Sequence, residues 1–177
     1  MGRIISNFFI SLDGVVEAPD KWHFPYFDDD MGAVVSDGMA ANTAFLMGRT
    51  LYDEWAAYWP ESTDEPFASH FNEATKYVVS SSLTDPAWQN TTVLRDVEAV
   101  RRVKDATDGD IGMSGSATTV RRLLAGGLLD ELRLLVHPIV VGRGQRLFED
   151  TATHKLALTR SRTLSSGVLD LAYTPAS

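Results

Sequence analysis

The 177-residue sequence contains no cysteine, which excludes a disulfide framework and every thiolate metal centre and fits a cytoplasmic protein. Histidine is also scarce. His23, His70, His137 and His154 lack the short spacings of a metal-binding helix or finger, so no metal is expected and each ring is read as solvated or hydrogen-bonded. Basic residues are outnumbered, with Lys and Arg at 16 against 24 Asp and Glu and a net charge of -8. A nucleic-acid or anionic-membrane surface needs the opposite balance gathered into a patch, so neither partner is expected. Long apolar runs are missing too. Ser6, Asn7, Ser11 and Asp13 interrupt the first apolar stretch, which argues against a secretory leader, and no run of about twenty apolar residues offers a membrane span.

A hydrophobic content of 44%, with 10% aromatic residues, is enough for a full core, and without a linker or repeat residues 1–177 read as one domain. Strand and helix patterns alternate for most of the chain. Arg3 to Leu12 is a buried strand ended by Asp13-Gly14; Asp28-Asp29-Asp30 precede a helix marked by Met31, Val34, Val35 and Met39, with capping the plain reading of all three carboxylates. Thr43 to Met47 is a strand that Gly48-Arg49-Thr50 turns into a helix with Leu51, Trp55, Tyr58 and Trp59 on its apolar side. Strands follow at Lys76 to Ser80 and Thr91 to Leu94, then an amphipathic helix from Val97 to Ala106, with Val100 and Val103 inward and Arg101, Arg102 and Lys104 outward. A strand at Asp110 to Ser114 leads through Gly115-Ser116-Ala117-Thr118 into a helix carrying Val120, Leu123 and Leu124, and then into an apolar strand from Leu132 to Val141. Leu156 to Thr163 and Val168 to Tyr173 alternate as an antiparallel hairpin. The pattern predicts an α/β domain of three layers, a mixed and mostly parallel sheet with helices on both faces and an antiparallel C-terminal hairpin.

Two strand ends carry the candidate chemistry. Gly115 to Thr118 and Gly48 to Thr50 each open a helix after a glycine, and such turns leave first-turn N–H groups and the positive dipole end aimed at whatever lies above the strand. An anion suits that position. Arg49 adds a fork for phosphate, and Ser80, Ser81 and Ser82 either add three hydroxyls at a third strand end or simply terminate the strand. Ser116 in the N-cap position also permits a plain capping reading. Gly112-Met113-Ser114-Gly115-Ser116 fails the hydrolase elbow at its last position. Asp13 either makes a turn or faces a ligand crevice, and Trp22, His23, Phe24, Tyr26 and Phe27 form either a satellite core or the wall of a pocket.

Taken together, Ser11-Leu12-Asp13-Gly14, Leu46-Met47-Gly48-Arg49 with Tyr52, Val78-Val79-Ser80-Ser81, Gly115 to Thr118, Gly127 to Leu132, and Pro138 with Gly142, Gly144, Leu147 and Phe148 resemble a known family. It is the dihydrofolate reductase-like fold, and within it the reductase domain of the riboflavin-biosynthesis deaminase-reductase and its stand-alone relatives. The resemblance implies NADPH, its 2′-phosphate held by Arg49, Ser80 and Ser81 and its pyrophosphate by Gly48 and the Gly115, Ser116, Ala117, Thr118 turn, with Thr50 beside Arg49 in place of the family's threonine one position later. It implies hydride transfer to a C=N or C=O of a small heterocyclic or sugar-like substrate, with Asp13 and Asp28 as candidate acids or water-orienting groups, Trp22 and Phe24 lining the pocket, and a homodimer. The folate reductases' arginine for a glutamate tail is replaced here by an acidic segment, Glu61, Asp64 and Glu65. A non-catalytic nucleotide-binding or oligomer-forming module is the alternative.

Overall fold

A computed structural model describes residues 1–176. Eight strands form a single sheet: β1 (Arg3–Ser11), β2 (Asn42–Gly48), β3 (Thr75–Val79), β4 (Thr91–Leu94), β5 (Asp110–Met113), β6 (Glu131–His137), β7 (Leu156–Thr163) and β8 (Leu169–Pro175). Their order across the sheet is β4-β3-β2-β5-β1-β6-β8-β7. The first six in that order are parallel, and β8 pairs antiparallel with both β6 and β7.

β1 is apolar on both sides because it is central. Ile4, Phe8 and Ile10 face one layer while Phe9 faces the other, so both sides pack into core, unlike a half-solvated strand, and Ser6 and Ser11 are buried with them. Helices α1 (Asp29–Ala40), α2 (Arg49–Tyr58) and α3 (Phe67–Glu73) follow connections that run toward β4, whereas α4 (Val97–Ala106) and α5 (Ala117–Ala125) follow connections that run toward β6. Right-handed crossovers therefore place the two groups on opposite faces. The core agrees. Met31, Val34 and Val35 of α1 pack on Phe9 and Leu135, and Tyr52, Trp55 and Phe71 of α2 and α3 pack on Phe45, Met47 and Val78. On the other face Val100, Val120 and Leu123 meet Ile4, Phe8, Leu46 and Ile111.

The expected α/β architecture and its C-terminal hairpin are present. Four local readings need correction. α3 was not anticipated, since Phe67, Ala68 and Phe71 give too brief a pattern to register as a helix. Lys104 points inward, 7% exposed, because its ammonium donates to the Leu128 carbonyl at 3.0 Å and lies 2.7 Å from Asp130 Oδ2. Tyr58, expected on the apolar side of α2, is half exposed, and Tyr52 is the buried ring. β6 ends at His137 rather than continuing to Val141. Beyond it, the Val141 and Gly142 amides turn to the Asp13 carboxylate at 3.0 and 2.8 Å.

No helix among the described residues is long and apolar enough to cross a membrane.

Candidate active site

The connections leave β2 and β5 toward opposite faces, although the two strands are neighbours. A crevice opens at such a point, outside the carboxyl ends of the strands, and ligands of open α/β sheets bind there. Gly48 ends β2 and Ser116 starts α5 across the crevice. They approach so closely that a Cβ on Gly48 would lie 2.9 Å from both Ser116 Oγ and Thr119 Oγ1. Gly115, with φ of +105°, turns β5 into α5 where a side chain would be strained.

Both helices at this crevice begin without a side-chain cap. Ser116 occupies the N-cap position, but its hydroxyl lies 3.4 Å from Thr119 Oγ1 instead of reaching a first-turn amide. The expected capping bond is therefore missing. Neither helix has an acidic residue in its first turn, so two positive dipole ends and their orphan N–H groups converge on one crevice. Ala117 contributes its backbone here; Thr50 and Thr118 are exposed beside it.

Arg49 stands at the outer end of this line. Its Nε donates to both Asp53 oxygens at 2.8 Å, and its Nη1 donates to Ser82 Oγ at 3.3 Å. The Asp53 carboxylate fixes the guanidinium and leaves Nη2 available. Among the serines, Ser80 is buried and its hydroxyl accepts from the Ser82 and Leu83 amides at 3.3 and 3.1 Å, so it shapes the turn, while Ser81 is exposed. Of the three strand-end serines it is Ser82, outside the pair that the resemblance assigns to the phosphate, whose hydroxyl touches Arg49. One neighbour has no signal in the sequence: Arg95, at the end of β4, donates from Nη1 to the Ser80 carbonyl at 3.0 Å. Adjacent strand order brings them together, which residue spacing does not reveal. A groove of about 430 Å³ lined by Tyr77, Ala99 and Val103 runs along α4 from this corner.

The two candidate acids each already accept hydrogen bonds. Asp13 accepts from the Ser11 hydroxyl at 2.6 Å as well as from Val141 and Gly142. Those bonds, with the Ser11 hydroxyl first, bring its carboxyl down to about 2, which keeps it ionised near neutrality and ties the end of β1 to the segment after Pro138. Asp28 caps α1, accepting from the Met31 amide at 2.9 Å. Trp22 is buried and donates from Nε1 to the Glu17 carbonyl at 3.2 Å.

Beside Trp22 two histidines are buried rather than solvated, and of the two His137 keeps the hydrogen-bonded reading. His23 and His137 are 7% and 0% exposed. Phe9 stacks on His23 with centroids 4.6 Å apart, while Trp22, Tyr26 and Phe9 surround His137 at 5.2 to 5.8 Å. His137 Nδ1 donates to the Leu135 carbonyl at 2.8 Å. Its Nε2 and His23 Nδ1 are buried without a partner among the described residues, and desolvation lowers both imidazoles below their ordinary value.

This fold is dihydrofolate reductase-like. It superimposes on the dihydrofolate reductase from Enterococcus faecalis complexed with NADP(H), with a TM-score of 0.67 at 14% identity over 99% of this chain and 98% of that one. Residues 3–169 match the RibD C-terminal domain, and the chain belongs to that family. A Shewanella sp. PV-4 protein named for riboflavin biosynthesis is similar in structure, with a TM-score of 0.78 at 18% identity and 99% of each chain covered. In sequence the chain is similar to YyaP of Bacillus subtilis (strain 168), at 30% identity over 97% of this chain and 94% of that protein.

Proposed function

We propose that the protein is an NADPH-dependent reductase acting on a C=N or C=O of a small heterocyclic or sugar-like substrate. The observation that carries this reading is the meeting of two uncapped helix N-termini across Gly48 and Ser116, in line with Arg49. A pyrophosphate supplies the charge that both helices lack, and a 2′-phosphate suits the free face of the Arg49 guanidinium and the Ser82 hydroxyl. The site is locally cationic, so the net charge of -8 is no obstacle. When bound, NADPH supplies the hydride from its nicotinamide C4. The chain's part is to bind and orient cofactor and substrate and to keep water out, with the Trp22 to Phe27 loop as cover. A cytoplasmic homodimer completes the reading.

The acidic segment at Glu61, Asp64 and Glu65 disfavours a glutamate-tailed folate, since like charges at a rim oppose binding. A second reading, a binding module without chemistry, draws on the engagement of both Asp13 and Asp28. Mixing the protein with NADPH and a panel of ribosylaminopyrimidines, pterins and simple carbonyls separates the two. Loss of nicotinamide absorbance with at least one compound is expected, and binding without turnover favours the module. NADPH should also bind more tightly than NADH. Arg49→Ala should erase most of that difference, on the order of 1.5–3 kcal/mol for a charged hydrogen bond; equal affinities in the wild type would remove Arg49 from the site.

A further inference from the structure

Hydride transfer to C=N or C=O also needs a proton at the heteroatom, and Asp13 and Asp28 are both occupied as hydrogen-bond acceptors. Resting on the reductase reading, we propose that His23 is the proton donor, delivering from Nδ1, the ring nitrogen buried without a partner among the described residues.

Position supports this. β1 lies beside β5, and Asn7 of β1 reaches the Met113 carbonyl at the end of β5 at 3.5 Å. The next residue, Phe8, is 3.8 Å from where a Gly115 side chain would begin. Phe9, one step on, is the ring that His23 stacks against. Phe8 and Phe9 point to opposite faces of β1, so the imidazole lies across the sheet from the Gly115 turn, on the face that α1 covers. Phe9, past the Ser6–Met113 pair, holds it beyond the carboxyl end of β5, where the crevice opens. Phe24 closes its other side at 4.2 Å and is itself 64% exposed, so it is the ring that an entering substrate displaces.

The groups facing His23 are few. Asp20, on the same loop, favours its charged form, and His137 of β6 disfavours it. β1 presents Phe9, and α1 turns Met31, Val34 and Val35 inward, while Asp28 and Asp30 are bound to the Met31 amide and to Ser165. In the proposed step the substrate carbon accepts the hydride and its electron pair from the reduced nicotinamide. The attached nitrogen or oxygen accepts the proton from the His23 imidazolium, which water then reprotonates. NADPH, a proton and C=X become NADP⁺ and CH–XH, so the step balances.

Two measurements test it. Proton NMR titration of the wild type should place His23 below the ordinary imidazole range, and saturating NADP⁺ should move it further down because a cationic nicotinamide lies nearby. His70, packed on Phe45 and Phe71, is the internal control and should stay put. A His23 titration unmoved by NADP⁺ overturns the assignment whether or not a variant folds. In turnover, the wild-type rate should rise as pH falls through the His23 value. His23→Asn should bind NADPH normally, lose about a hundredfold in rate, lose that acid limb, and regain rate with added imidazole. An unchanged pH profile in an active His23→Asn protein overturns the donor while leaving the reductase standing. A wild type that binds NADPH but reduces nothing in the panel takes down both.

Discussion

Helices α1, α3 and α4 carry their own carboxylates where they begin, and α2 and α5 do not. Asp28 accepts from the Met31 amide, Glu65 from the Ser69 amide, and Asp96 from the Ala99 amide at 2.7 Å. Asp29, Asp30 and Glu98 add further negative charge in the first turns of α1 and α4. At α2 and α5 the N-cap positions hold Gly48 and Ser116, with neither a capping bond nor an acidic residue. A capped helix satisfies its dipole within the chain and gains stability at its own end. An uncapped one forgoes that stability and keeps its donors for something that arrives from outside. α3 also starts without a capping bond at its N-cap, Pro66, and without a first-turn acid, and only Glu65 just before it supplies a carboxylate. The two helices with no carboxylate at all at their start are the two that meet at the crevice.

The largest expected effect comes from making one incomplete helix resemble the complete ones. Ser116→Asp places a carboxylate where Asp28 and Asp96 sit in α1 and α4, so the melting temperature should hold or rise. NADPH affinity should fall by about 3 kcal/mol, the scale of a like-charge juxtaposition in a binding site. Calorimetric titration alongside thermal melting reads both, and undiminished binding would break the link between uncapped helices and anion recognition.

The other end of a helix offers a contrast. Lys76 is fully buried, and its ammonium donates to the Phe71, Asn72 and Ala74 carbonyls at 2.7 to 3.1 Å, with the Trp88 ring 4.4 Å away. The C-terminus of α3 is thereby satisfied from within. Lys76→Met should cost about 1–3 kcal/mol by orphaning those carbonyls, without changing cofactor affinity. Burial pulls the amine down to about 8 from 10.5. Between those values the unfolded chain holds a proton that the folded chain has shed, so wild-type stability should rise with pH across that window. Denaturant melts at several pH values check both, and a flat profile would contradict the buried, desolvated amine.

Smaller still is the difference between two cap deletions. Asp96→Ala should destabilise by about 1 kcal/mol and leave NADPH binding unchanged. Ser116→Ala should leave the melting temperature where it is, because that hydroxyl makes no capping bond, while weakening the nucleotide. Equal losses of stability in the two variants would mean that Ser116 caps α5 after all.

Much of this was legible in the sequence, for reasons that differ by residue. The α4 limits, Val97–Ala106, follow from a clean helical spacing, and the two glycine turns follow from strand ends running into helix patterns. What could not be read depends on partners distant in the chain. Lys104 turns inward toward Asp130, Ser82 rather than Ser80 meets Arg49, and His23 is buried by Phe9 of a strand fourteen residues earlier. Polar residues in such places look solvated until the sheet order is known. Asp13 illustrates the same point from the other side, since its position at a strand end was visible and its 128-residue link to Val141 was not.

The smallest expected effect concerns that carboxylate. Its acceptance of bonds from Ser11, Val141 and Gly142 holds it near 2, below the usual 3.8. A depressed folded value means the contribution to stability is present above the unfolded value and is lost as pH falls from about 4 toward 2. Asp13→Asn should therefore melt slightly earlier at neutral pH and show a shallower acid transition in that window, while NADPH binding stays unchanged because the anion site is proposed at Gly48 and Ser116. Turnover decides between its two readings. If Asp13 only ties the end of β1 to the segment after Pro138, the variant keeps its rate and the acid limb assigned to His23. If the rate collapses with folding and NADPH affinity intact, the carboxylate takes part in proton transfer, and its three hydrogen bonds must open during the reaction.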